Sequence, residues 1–211
     1  MKRNNVPRRK WARRGARLGA IIGVVVAAIS LWLYFGVENG VFERELDEIV
    51  ELREKNMREE REWVDGQVAW IKIDGTNIDY PVMQASNNVW YLNHDYLGRE
   101  EVTGAIFLDY RNSSDFSDDV SVIYGHRTNG HLMFSDVARY ESGEYFSGHL
   151  QGELYLRDGR IMRLVAHRYR LLSGDDGLYR DFSWNDSGVI ILSTCSREMR
   201  GSRDVLVMKK M

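Results

Sequence analysis

Three patterns of apolar and polar residues divide this chain. From Leu18 to Val37 twenty consecutive residues carry no charge, among them Ile21, Ile22, Val24, Val25, Val26, Ile29, Leu31, Trp32 and Phe35. As a helix rising about 1.5 Å per residue, that run spans about 30 Å, the thickness of a bilayer's hydrocarbon core. From about Val41 to Trp63 the pattern changes to charged residues crossed by one apolar stripe, Phe42, Leu46, Ile49 and Val50, at steps of three and four. That periodicity predicts an amphipathic helix with a solvated face.

Beyond Gly66 the apolar residues fall into short runs separated by turn residues. Val68–Ile73, Ile78–Met83, Ala105–Tyr110, Val120–Tyr124, Glu153–Arg157, Ile161–Leu172, Val189–Cys195 and Arg203–Met208 all read as strands. Asp74-Gly75 and Asp158-Gly159 lie between such runs and predict tight turns. Pro81 cannot donate to a ladder and predicts a strand edge or an irregularity there. Residues 131–140 read as a short amphipathic helix, and 173–187 as a polar loop. Many short strands with turns between them imply a mainly β domain closed, or nearly closed, as a barrel with a few short helices. The expected organisation is therefore a tail at 1–17, a transmembrane anchor at 18–37, a charged helical stalk at 38–65 and a β-barrel domain at 66–211.

Charge sharpens the first of these readings. Eight Lys or Arg and no acidic residue lie in 1–37, so the net charge of −2 conceals a balance of −10 for residues 38–211. Basic residues ahead of an apolar span keep that end in the cytoplasm, which places the rest outside the cell membrane. A cleaved signal peptide has a shorter apolar region followed by small residues, and Tyr34-Phe35-Gly36-Val37-Glu38 does not supply them. The topology accounts for the basic tail, so no nucleic-acid partner is expected.

Cys195 is the only cysteine, which excludes an internal disulfide. It ends an apolar strand where a polar loop begins, a suitable place for a nucleophile. A thiol needs a base or a cation beside it and a stabiliser for the anion it creates. Of the five histidines, His126 ends an apolar strand in the same manner, and Arg203 opens the strand after the Cys195 loop. Ser193, Thr194 and Glu198 flank the nucleophile as candidate substrate contacts, whereas Arg197 and Arg200 read as solvated loop residues. Asp115, Asp118 and Asp119 read as a solvated acidic loop rather than a calcium site, and histidine spacing gives no zinc pattern. No metal or cofactor is expected.

The motifs ILSTC ending at Cys195, IYGH ending at His126 and SRD containing Arg203 resemble those of the sortases, membrane-anchored cysteine transpeptidases of Gram-positive bacteria. The order His, Cys, Arg and the seven residues between Cys195 and Arg203 fit as well. IDYPV at 78–82, IFLDYRN at 106–112 and Met133-Phe134 after the YGH motif are similar to class B. The sequence departs from that class in three places. Residues 173–187 stand where a long helical insertion is usual, Arg127 follows the histidine where Asn is expected, and Ile191 replaces a threonine.

The resemblance implies a sortase-type barrel. It further implies that Cys195 attacks a threonine carbonyl in the C-terminal sorting signal of a secreted protein. His126 would then act as acid and base, and Arg203 as oxyanion stabiliser. The thioacyl intermediate would be resolved by an amine of a cell-wall precursor or of a pilin lysine, anchoring the surface protein. Two alternatives carry different chemistry: an anchored extracytoplasmic binding or scaffold module with an inert Cys195, and a cysteine peptidase of the same fold that uses water as acceptor.

Overall fold

In a computed structural model of the chain, the described residues are Ser30, 63–128, 132–195 (Cys195 by its backbone) and 201–211. They belong almost entirely to one compact unit, Lys55–Met211; the other unit is Met1–Glu54. The predicted tail, the anchor (Ser30 apart) and all but the last residues of the stalk lie outside the described residues. Among the described residues no helix is long and apolar enough to cross a membrane.

Eight strands close into a barrel: β1 (Gln67–Ile73), β2 (Asp79–Met83), β3 (Ile106–Leu108), β4 (Val120–Tyr124), β5 (Gln151–Leu156), β6 (Ile161–Ser173), β7 (Val189–Cys195) and β8 (Ser202–Lys210). Their order around the barrel is β1-β2-β3-β4-β7-β8-β6-β5. β2 with β3 and β4 with β7 pair in parallel, and all other neighbours are antiparallel. The closed, mainly β domain expected from the sequence is thus the observed one.

Local chemistry explains the corners. Gly75 takes φ +73° in the turn between β1 and β2, where Thr76 donates both its backbone N–H and its hydroxyl to the Ile73 carbonyl. Pro81 lies opposite Trp70 of β1, one residue before β2 begins to pair with β3 at Val82. The strand is paired on one side only at that point, so a missing donor is tolerated.

Two stretches differ from the sequence expectation. The helix foreseen at 131–140 is a 3-10 helix at Ser135–Glu141, followed by α1 at Gly143–Gly148 with Ser142 as its cap. The polar loop at 173–187 contains α2, Gly177–Asp181, whose first turn is capped by Asp176 accepting from the Leu178 N–H. Caps satisfy helix-end donors within one turn, so such short helices leave little apolar periodicity to read.

The segment containing α2 decides where a site can form. On β4, β7 and β8, Val122, Val189, Ile191, Val205 and Val207 turn outward from the barrel and pack with Leu172 and Leu178. Tyr179, Phe182 and Trp184 extend that cluster. Ile123, Ile190, Leu192, Leu206 and Met208 take the opposite face and are fully buried. Strands covered on both faces read as continuous apolar runs, which is the pattern of VIIL and VLVM. A fully buried Leu contributes about 1.5–3 kcal/mol relative to an exposed one. Leu178, at 0% exposure, therefore fastens the segment as a wall against the barrel.

Candidate active site

β4, β7 and β8 end together, and their ends carry the residues singled out in the sequence. The parallel ladder of β4 and β7 finishes at Tyr124–Ser193, and Gly125 adds one more bond, its N–H donating to the Ser193 carbonyl at 3.1 Å. A Cβ at Gly125 would run into Ile106 and Phe134, so only glycine lets the chain hug the barrel here before turning to His126. The antiparallel ladder of β7 and β8 finishes at Cys195–Arg203. Cys195 and Arg203 are thus in direct register across the two strands.

A cleft of about 460 Å³ opens at these ends. His126, Ser193, Thr194 and Arg203 line it, together with Leu92 and Tyr179. The His126 ring lies with Nε2 2.8 Å from the Leu92 carbonyl oxygen. A carbonyl can only accept, so Nε2 carries the hydrogen and Nδ1 remains as the nitrogen able to exchange a proton. The Ser193 hydroxyl is 2.9 Å from the Tyr179 hydroxyl. Thr194 Oγ1 is buried without a hydrogen-bond partner among the described residues. Of the sequence candidates, His126, Arg203, Ser193 and Thr194 share this cleft, and Cys195 follows Thr194 as the last residue of β7. Glu198, like Arg197, Arg200 and His131, lies outside the described residues.

Sequence reasoning missed the wall opposite Ser193 and what fixes it. Asp109, fully buried, accepts from Arg111 Nε and Nη2 at 2.9 and 2.8 Å, from Asn88 at 2.9 Å and from the Tyr124 hydroxyl at 2.9 Å. Burial alone would raise the Asp109 carboxyl, but the hydrogen bonds from Arg111, Asn88 and Tyr124 hold it below the ordinary carboxylate range. Burial and the Asp109 charge push the Tyr124 phenol up, which keeps it a donor. Arg111 then donates to the carbonyls of Arg180 and Tyr179 at 2.8 and 3.1 Å and stacks over Phe182 at 4.2 Å. One buried carboxylate thereby anchors the cleft wall. IFLDYRN contains both partners, but nothing local in the sequence reveals what Arg111 reaches, 68 and 69 residues away.

Hydrogen bonds to charged groups contribute about 1.5–3 kcal/mol each, and about 1.4 kcal/mol is a factor of ten. Arg111→Ala is therefore expected to speed trypsin cleavage after Arg180 by more than about tenfold at neutral pH. An unchanged rate would show that apolar contacts alone hold the wall. The lowered folded pKa of Asp109 means that its contribution is complete above the unfolded value and is lost as pH falls through the folded one. Pepsin cleavage within 177–184 should accordingly rise in strong acid.

The acidic loop is closed internally. Asp118 accepts from Asn112 and Ser113, and the Lys210 ammonium donates to the carbonyls of Phe116 and Asp118 at 2.8 and 2.6 Å. Among the described residues no group of three His, Cys, Asp or Glu is arranged to hold a metal ion.

No family model matches the chain. It is 39% identical to Sortase B of Listeria monocytogenes over 82 residues, which cover 39% of this chain and 33% of that protein. It is 29% identical to Sortase B of Staphylococcus aureus over 143 residues, covering 68% of this chain and 59% of that protein. The chain thus spans about a third and under two thirds of the curated relatives it matches. Among solved structures, Staphylococcus aureus Sortase B superposes with a TM-score of 0.67 at 24% identity, covering 82% of this chain and 98% of that one. A Streptococcus pyogenes class B sortase involved in pilus biogenesis gives 0.63 at 24% identity, covering 69% and 92%. At those identities the two structures speak for the fold.

Proposed function

We propose that the chain, which is similar to class B sortases in sequence and in fold, is a cysteine transpeptidase acting at the cleft between β4, β7 and β8. The observation that carries this reading is the convergence of His126 and Arg203 on one cleft, with Cys195 as the ladder partner of Arg203. In the proposed reaction the Cys195 thiolate attacks the carbonyl carbon of a threonine in a sorting signal. His126, protonated, gives its proton to the leaving amine as the C–N bond breaks, leaving a thioacyl enzyme. The incoming amine loses a proton to His126, attacks the thioester and releases the thiolate, so the cycle consumes neither oxidant nor reductant. Arg203 is positively charged throughout and offers a fork of donors to the oxyanion.

The substrates in this reading are secreted proteins with a C-terminal sorting signal, and the acceptor is a cell-wall precursor amine or a pilin lysine. The test incubates the protein with a small library of sorting peptides and amines and reads the products by mass. A new peptide–amine bond supports the transpeptidase. Hydrolysis without transfer supports the peptidase, and no turnover with an unreactive Cys195 thiol supports the scaffold.

Arg203→Ala is expected to lower turnover by on the order of 10²–10³, the range for one oxyanion donor. Its effect should exceed that on affinity, because the charge it meets develops in the transition state. Arg203→Lys should restore part of the loss, since a point charge cannot reproduce the fork. Arg197→Ala and Arg200→Ala should stay within about tenfold of the parent on the same comparison. A crippled Arg200→Ala beside a mild Arg203→Ala would transfer the anion role to the loop.

The location belongs to the same reading. A span at 18–37 with its basic tail inside puts the barrel on the outer side of the membrane, where secreted clients and cell-wall amines meet it. Protease added to intact spheroplasts should remove the domain; full protection would overturn this topology.

A further inference from the structure

His126 and Arg203 are each followed by a charged residue of opposite sign, and the fold joins those two followers. Arg127 Nη1 donates to Asp204 Oδ2 at 2.8 Å, with side-chain exposures of 20% and 4%. The Tyr169 hydroxyl donates to the other carboxylate oxygen at 2.7 Å. β4 and β8 are not sheet neighbours, because β7 lies between them. The pair therefore spans the end of β7 and ties the chain leaving β4 directly to β8. In sequence the partners are 77 residues apart.

We infer that the Arg127–Asp204 ion pair is a positioning device that sets His126 and Arg203 against the end of β7, an inference that rests on the transpeptidase reading for its kinetic consequences. Regular pairing of β4 with β7 ends at Tyr124. Beyond it His126 is held through its carbonyl, which accepts from the Phe134 N–H at 3.0 Å, through the bridge of Arg127 with Met133, and through its ring on Leu92. The first two bonds tie the histidine to the chain that follows it, and the third ties it to the short 3-10 helix at Trp90–Leu92. None of these three joins it to β8. Asp204 does so through Arg127, one residue from His126, while Arg203, one residue before Asp204, takes the opposite face of β8 by alternation and lines the cleft.

The energetics favour a positional role over a purely stabilising one. Withdrawing an ion pair from water costs much of what its attraction returns, so an apolar pair of similar volume serves stability as well or better. What an ion pair adds is direction: the carboxylate has one oxygen on Arg127 and the other on Tyr169, which fixes its rotation and the side from which the guanidinium approaches. A side chain as short as Asn at position 127 could not make the same reach across β7, and Asp204 supplies the anion that the longer cation needs.

The test uses the full-length chain and compares Arg127→Gln, Arg127→Lys and the neutral double variant Arg127→Gln/Asp204→Asn. All are checked for native near-ultraviolet dichroism at the assay temperature. In Cys195-dependent peptide–amine joining, Arg127→Gln is expected to lose about tenfold to a hundredfold in kcat with KM within about threefold, the pattern of an interaction that matters in the transition state. Arg127→Lys should recover most of the loss. The double variant should melt no lower than Arg127→Gln yet stay slow, which separates position from stability. A folded Arg127→Gln protein with kcat within about threefold of the parent would overturn the inference. A second readout needs no turnover: long-range nitrogen–proton NMR of the His126 ring, where the parent should show hydrogen on Nε2. If no peptide–amine joining depends on Cys195, the transpeptidase reading fails by itself. The pair is then judged by this ring, supported if Arg127→Gln mixes the two tautomers and overturned if the ring is unchanged.

Discussion

In Cys195→Ala, joining of peptide to amine is expected to fall to the uncatalysed level, and no thioacyl adduct should be seen by intact mass. The argument is one of chemistry before geometry. The chain has a single sulfhydryl, and the two described hydroxyls that precede it on β7 are committed or shielded: Ser193 to Tyr179, and Thr194 Oγ1 by burial. Neither could take over an acyl group from the nucleophile. Removing one sulfur atom from the end of β7 leaves its ladder with β8 to the backbone, so the variant should keep its fold by dichroism. A Cys195→Ala protein that still joins peptide to amine would remove covalent catalysis at this residue altogether.

The second large effect is expected for His126→Ala, a loss of roughly 10²–10⁴-fold if the residue transfers the proton. The Leu92 carbonyl makes this prediction more specific. By accepting from Nε2 at 2.8 Å it assigns one ring nitrogen to orientation and leaves Nδ1 for exchange, as the third member of a catalytic triad does for its histidine. The backbone carbonyl carries no full charge, so it orients the ring without the stabilisation that a carboxylate gives an imidazolium. A His126→Ala protein that keeps turnover within about tenfold of the parent would reassign the proton transfer to another group.

The parts of the site that were legible in the sequence are those encoded by short-range rules. A two-residue alternation gave Arg203 its face, and a separation of seven residues suggested that Cys195 and Arg203 return to one end of the barrel, as antiparallel neighbours do. The Asp-Gly turns read correctly because glycine at φ +73° in the first and +87° in the second is a local requirement. The order of strands was not legible, because β4 reaches β7 in parallel across α1, β5, β6 and α2. Parallel pairing leaves no turn between its partners to announce it. The anchoring of the cleft wall by Asp109 and Arg111 escaped for the same reason. Each residue is unremarkable in its own segment, and its partner lies far along the chain. Leu92 is the clearest case: it acts through a backbone carbonyl, which every residue possesses and no side-chain pattern marks.

The ladder that ends at Cys195 and Arg203 is a hairpin, closed by a short connection, whereas His126 arrives only through the parallel contact of β4 with β7. Closing a long loop costs more chain entropy than closing a short one, and pairings distant in sequence are slow to form. During assembly the cysteine and its arginine can therefore meet before the histidine is in place. A chain at that stage would have Cys195 in register with Arg203 but His126 not yet in place, so under the proposed mechanism it could not complete an acyl transfer until the barrel had closed. On that reading, latency of the immature chain follows from the order in which its strands can find one another.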